Sequence, residues 1–367
     1  MSNSARERGV ALITAMLITA LATMVAANLA WDNAMDVRRT MVLLNRDQAI
    51  QVALGAESWI ISILHQDLQD SETDHLGEIW ATELPGLPID GGEVFGAVQD
   101  LQGRFNVNNL IDANGVVDEE SLEQFRRLLL AIGLDQRFAG TAADWLDHDI
   151  DAAFPDGAED SIYTGMIPPY RTANQPLSSV SELAALDGMD RQTFNALEPH
   201  ITALPGRTNI NVNTATGAVL QSLDENMTLA DVENLIAERE SGGFTDIENT
   251  FASLVTPEVV NKLEASTQYF QLKVVVRIDT VRITLVSLLQ RGPRGDVTPI
   301  LRSLGTILVC PNTWLSALAN TLSSGRTGSR WIQAAQCTVL RRPECSVRQR
   351  RISALARSSF SFRALRY

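Results

Sequence analysis

The chain has 367 residues, is 45% apolar and carries a formal charge of -14. That is apolar content enough for two or three packed domains, and it excludes a disordered protein. The charge is divided unevenly, with +1 over residues 1–31, -28 over 32–270 and +13 over 271–367, so the middle repels nucleic acid and attracts divalent cations.

Residues 10–31 contain no charged side chain, and as a helix they would reach about 33 Å, enough to cross a bilayer core. Arg6 and Arg8 precede this span while Asp32 and Asp36 follow it, which places the amino end in the cytoplasm and exports the rest. A cleaved secretory signal expects a shorter apolar region ending in small residues, and Ala27-Asn28-Leu29 fits that poorly. The segment RERGVALIT, a short charged leader ending in Gly9 before a long apolar helix, resembles a type IV prepilin leader. The resemblance implies cleavage between Gly9 and Val10 by a prepilin peptidase, with methylation of the new amine. Thr14 then stands fifth in the mature chain, where most pilins carry glutamate. A carboxylate there is costly unless paired with the amino terminus of an adjoining subunit, and a subunit without it need not dock beneath another.

Beyond the span, Met41, Leu44, Ile50, Ala53, Trp59 and Ile60 recur at helical spacing and predict one long amphipathic helix leaving the membrane. Pro85, Gly86, Pro88, Gly91 and Gly92 break it, and residues 93–102 alternate as a strand. Residues 270–290 alternate strongly around a turn near Asp279-Thr280, and 295–304 could add a third strand. Between these lie helical patterns at 119–132, 178–186, 191–197 and 229–241. Strands expected to share one sheet flank a helical block, so the fold class is α+β, with a helical domain inserted into a small α/β domain.

The densest polar cluster runs from Asp144 to Asp160, with carboxylates at 144, 147, 149, 151, 156, 159 and 160. Oxygen ligands on a turning loop suit a hard cation such as Ca²⁺, although the ligand pattern is not that of an EF-hand. GRFNVNNL and INVNTAT are asparagine-rich turns whose side chains are expected to cap helices or close turns. Residues 210–251 resemble part of a helix-hairpin-helix module, but the hairpin LDENMTLADV is acidic and lacks the Gly-x-Gly that reaches phosphate. His65, His75, His148 and His200 are scattered without zinc spacing, and no motif of an enzyme is present. All three cysteines, Cys310, Cys337 and Cys345, fall in the basic tail. The acidic body therefore has no disulfide, and a bound metal is one candidate staple.

Taken in order, RERGVALITAMLITALATMVAANL, DLQGRFNVNNL, DWLDHDIDAAFPDGAEDSIY, PPYRTANQPLSSVSEL and INVNTAT resemble the K-type minor pseudopilins of bacterial type II secretion, a class known for lacking that glutamate. The resemblance covers most of residues 5–305. It implies a prepilin leader at 1–9, a transmembrane helix at 10–31, the first part of a pilin-like domain at 32–109, an inserted α-helical domain at 110–265 and antiparallel strands at 266–305. Residues 306–367 depart from the family and are expected to be a poorly ordered basic extension. It further implies a place at the pseudopilus tip, initiating assembly and aiding export of folded proteins across the outer membrane. The expected partners are minor pseudopilins I and J, with H as a further candidate, prepilin peptidase and the inner membrane, with no nucleic acid and no catalytic residue. Calcium in the inserted domain is carried onto Asp147, Asp149, Asp151, Asp156, Glu159 and Asp160. The alternative is a membrane-anchored DNA-uptake protein built on the helix-hairpin-helix segment.

Overall fold

The computed structural model describes residues 3–305 except Ser241, with side chains from Leu12 onward. A single helix, α1 (Asn3–Asp70), opens the chain; it contains no proline to interrupt its hydrogen-bond ladder. Its large apolar side chains from Leu12 to Ile18 and on through Leu21, Leu29, Met41 and Leu44 are exposed, while Ala49, Ala53 and Leu64 are fully buried. The stripe expected from Met41 onward is therefore covered only from Ala49, and Trp59 remains half exposed.

The break expected at Pro85–Gly92 contains a strand. β1 (Leu84–Ile89) pairs antiparallel with β2 (Gly92–Asp100), and its register shifts between Leu84 and Leu87. Proline is tolerated there because β1 lies at the edge of the sheet, where missing N–H donors interrupt no inner ladder.

The chain then leaves the sheet. β3 (Phe105–Asn106) leads to α2 (Glu119–Ala131), which starts where the Asp118 carboxylate accepts from Ser121 N–H and buries Leu122, Phe125, Leu128 and Leu129 on one face. α3 (Arg137–Leu146) is buried over almost its whole length and α4 (Asp160–Tyr163) is a single turn. The helix expected at 178–186 is a 3-10 segment, Val180–Ala185, set by a capping box between Ser179 and Glu182. α5 (Arg191–Leu197), β4 (Ile201–Thr202), β5 (Ile210–Asn211), α6 (Gly217–Gln221), α7 (Leu229–Arg239), α8 (Ile247–Phe251), α9 (Pro257–Val260) and β6 (Leu263–Glu264) complete this region. Its core runs from Phe105 to Leu263 and includes Phe125, Tyr163 and Phe251.

Two like modules make up the insertion. β3 pairs in parallel with β4, and β5 with β6. In the first module Asn106 Oδ1 accepts from Asn108 N–H, and the Asn108 amide clips Leu177 through both its N–H (2.8 Å) and its carbonyl (3.0 Å) while also reaching Leu204 O at 2.9 Å. In the second, Asn211 Oδ1 accepts from Asn213 N–H, and Asn213 clips Phe244 and reaches Ala265 O at 3.2 Å. These asparagines do more than close turns: each ties its strand to two distant backbone segments. Truncation would strand several buried backbone groups, so Asn108→Ala and Asn213→Ala should each cost about 2–4 kcal/mol in urea unfolding. Asn114→Ala, on an exposed turn, should cost under about 1 kcal/mol.

On return, β7 (Tyr269–Ile278), β8 (Val281–Arg291) and β9 (Val297–Gly305) complete an antiparallel sheet of order β1-β2-β7-β8-β9. Asp279, at positive φ, makes the tight turn between β7 and β8. Phe270, Leu272, Val274, Val276 and Ile278 alternate into a second core shared with Ala49, Ala53 and Leu64 of α1. Near the start of this contact Gln48 Nε2 donates to Asp90 O at the β1–β2 turn. Near its end, His65 meets Gly295 O and Arg291 meets Asp67. The inserted region leaves after Asp100 and returns at Tyr269, so it projects from the end of the sheet remote from the apolar half of α1. The fold is α+β, a long N-terminal helix packed on an antiparallel sheet that carries a large helical insertion.

Candidate metal centre

The acidic loop joins α3 to α4. Asp144 occupies the last turn of α3, fully buried, and its carboxylate accepts from Ala153 N–H at 3.1 Å. Burial raises its pKa, and backbone N–H groups of Ala153 and Ala158 oppose that rise. Gly157 packs directly on Asp144 Oδ2 and the Ala153 backbone; a Cβ there would collide with both. Asp144 thus folds the loop back on itself, a role the sequence reading did not give it.

Carboxylate oxygens of Asp147, Asp149 and Glu159 lie within 4.8 Å of one another. Asp147 and Glu159 are 5% and 2% exposed, yet Asp147 Oδ1 and Glu159 Oε1 have no hydrogen-bond partner. Desolvation, then the charges of Asp149, Asp144 and Glu159, push Asp147 up to about 7. Glu159 is raised chiefly by burial, against its hydrogen bond from Thr172. Asn174 adds a third orphaned oxygen, Oδ1, while its amide holds Asp149 O at 2.6 Å. Buried, mutually repelling carboxylates with unsatisfied oxygens are what a hard divalent cation neutralises, so the donor set fits calcium.

The other three candidates are placed differently. Asp151 is exposed and gives its N–H to Asp149 Oδ1. Asp156 presents its backbone carbonyl to Thr141 Oγ1. Asp160 accepts from the Thr172 N–H and hydroxyl and stands 3.5 Å from Arg171. Thr172, which also donates to Glu159 Oε2 at 3.0 Å, was not legible as part of the site.

Gly9 and Val10 lie within α1. The helix-hairpin-helix segment folds as α6 and α7 joined through an acidic turn, where Asp224 accepts from Asn226 and the Thr228–Asp231 capping box starts α7. The turn residues 224–228 themselves carry no basic side chain. The basic extension from 306, with its three cysteines, lies outside the described residues.

Residues 103–206 and 210–269 match two family models, both described as type II secretion system protein K; the boundary between them falls between the two asparagine-clipped modules. The chain is 34% identical to type II secretion system protein K of Pseudomonas aeruginosa, over 82% of this chain and 93% of that protein. It is 29% identical to the Aeromonas hydrophila protein of the same description, over 83% and 99%. Among solved structures it is similar to a chain of the GspK-GspI-GspJ complex from the enterotoxigenic Escherichia coli type 2 secretion system. That match has a TM-score of 0.65 and 25% identity, and covers 73% of this chain and 99% of the other.

Proposed function

The chain belongs to the type II secretion system protein K family, and from that premise we propose that it is the minor pseudopilin at the tip of the pseudopilus, where it initiates assembly and aids export of folded proteins across the outer membrane. The observation that carries this reading is the position of the insertion, at the end of the sheet remote from the apolar half of α1. A subunit in a shaft must accept a neighbour at each end, and a broad head at the distal end obstructs the upper one. The role is structural: exposed apolar residues of α1 pack against partner helices, and the head closes the filament. Minor pseudopilins I and J, the companions of K in the related complex, are the proposed partners, with H as a further candidate. The apolar first half of α1, long enough to cross a membrane, anchors the chain once in the inner membrane, with the head in the periplasm. Calcium at Asp147, Asp149 and Glu159 orders the insertion.

Mass spectrometry of membrane fractions tests the premise at its start. A mature chain beginning at methylated Val10, only when prepilin peptidase is present, is the expected result; an intact amino end in peptidase-positive cells would sink the pilin-type role. The partner assignment is tested by co-purification: the full chain in detergent should form a stable complex with I and J, and failure to do so would overturn it.

A further inference from the structure

A second group of carboxylates lies away from the acidic loop, where α1 ends and the sheet meets the insertion. Asp67 stands in the last turn of α1, and Asp74 and Glu78 follow in the connection to β1. Carboxylate oxygens of the three lie within 4.8 Å of one another. Asp74 is 1% exposed, and the side chains of Asp67 and Glu78 are 13% and 10% exposed.

The surrounding partners satisfy only part of this cluster. Arg291 takes Asp67 Oδ2 at 3.1 Å and Asp74 Oδ2 as well, and Thr267 N–H also gives to Asp74 Oδ2. Glu78 Oε2 accepts from Trp80 Nε1 and His75 N–H. Asp74 Oδ1 and Glu78 Oε1 have no hydrogen-bond partner, the nearest ring nitrogen of His75 standing 3.7 Å from the latter. One guanidinium faces three carboxylates, so the group is short of positive charge in a place largely closed to water.

Three explanations compete for those oxygens. A solvated acidic patch would expose them, and they are buried. A proton shared between Asp67 and Asp74 would relieve that pair, in keeping with an Asp67 pKa pushed to about 7 by burial and by Glu78 and Asp74, but it would leave Glu78 Oε1 orphaned. A divalent cation neutralises the excess charge and meets all three residues at once, and an all-oxygen donor set selects a hard ion. We propose that Asp67, Asp74 and Glu78 form a binding site for a hard divalent cation, separate from the acidic loop.

The position gives such an ion a mechanical task. Asp74 N–H donates to Ala265 O and Asp74 O accepts from Asn211 Nδ2, both in the insertion, while Arg291 ends β8 and Asp67 ends α1. A cation held here would lock helix, sheet and insertion together, fixing the angle of the head on its stalk.

The test uses the full chain in detergent, stripped with EDTA and titrated with Ca²⁺ and separately with Mg²⁺ at pH 7.5, with bound ions counted by native mass spectrometry. Four variants separate the sites: Asp149→Asn, Glu78→Gln, Asp67→Asn and the double variant Asp149→Asn/Glu78→Gln, each checked for native circular dichroism. Asp149→Asn should retain one tightly held ion that the double variant loses, and Glu78→Gln and Asp67→Asn should each bind one ion fewer than the unsubstituted chain. An Asp149→Asn chain that binds none, or Glu78→Gln and Asp67→Asn chains that match the original count, would overturn the site. Should the acidic loop fail to bind, Glu78→Gln alone would abolish binding, so the two sites fail distinguishably.

Discussion

Replacing Arg291 by methionine should destabilise the folded sheet domain by about 3–5 kcal/mol, the cost typical of removing one partner from a buried ion pair. Arg291 is 3% exposed and holds Asp67, Asp74 and the Thr267 carbonyl, with its guanidinium 5.0 Å from the centre of the Phe270 ring. Methionine keeps much of the apolar stem and the packing on Phe270, so the loss reports the uncompensated carboxylates. Urea unfolding of the full chain in detergent and EDTA, where no cation shields the cluster, measures it. Arg39→Met, which removes only an exposed pair with Asp36, should change stability by less than about 1 kcal/mol. An Arg291→Met loss that small would mean that the carboxylate cluster is neutralised by something other than this guanidinium.

Removing divalent cations should make the head more stable at pH 5 than at pH 8, an order opposite to that of a carboxylate held by a cationic partner. Asp147 is pushed up to about 7 from an ordinary value of 3.8, so the folded state binds its proton more tightly than the unfolded chain does. The stabilising contribution is complete below pH 4 and is lost as pH rises through 7. For Asp147 alone the loss between pH 5 and pH 8 is about 2–3 kcal/mol, and the raised pKa of Glu159 acts in the same direction. Calcium competes with the proton, so its addition should restore stability most at high pH, by about 2.7 kcal/mol when free calcium is 100 times Kd. Asp147→Asn should flatten the metal-free pH profile and abolish most of the calcium gain. Thermal melts of EDTA-treated and calcium-loaded protein at the two pH values check both parts; a profile unchanged by Asp147→Asn would remove that carboxylate from the site.

Local signals carried most of the fold. A long run without charge or proline sets α1, the alternation at 270–290 sets β7 and β8, and Asp279-Thr280 marks their turn. Turn chemistry misled at Pro85–Ile89, where prolines read as breakers sit in an edge strand, because edge position is a property of the sheet. The expected stripe on α1 began too early for a similar reason: periodicity shows that a helix has an apolar face but not where a sheet starts to cover it.

By itself, the sequence determined the long apolar N-terminal helix, the α+β class, the helical block between strands and the acidic character of the loop, since each depends on composition, spacing or the order of segments along the chain. Only the tertiary structure decided which carboxylates meet. Asp147, Asp149 and Glu159 converge, while Asp151 and Asp156 are not in that group of three; Asp144 and Gly157 fold the loop onto α3. Asp67 and Asp74 meet Arg291 across more than two hundred residues. The desolvation that makes these groups costly arises only when distant segments close over them.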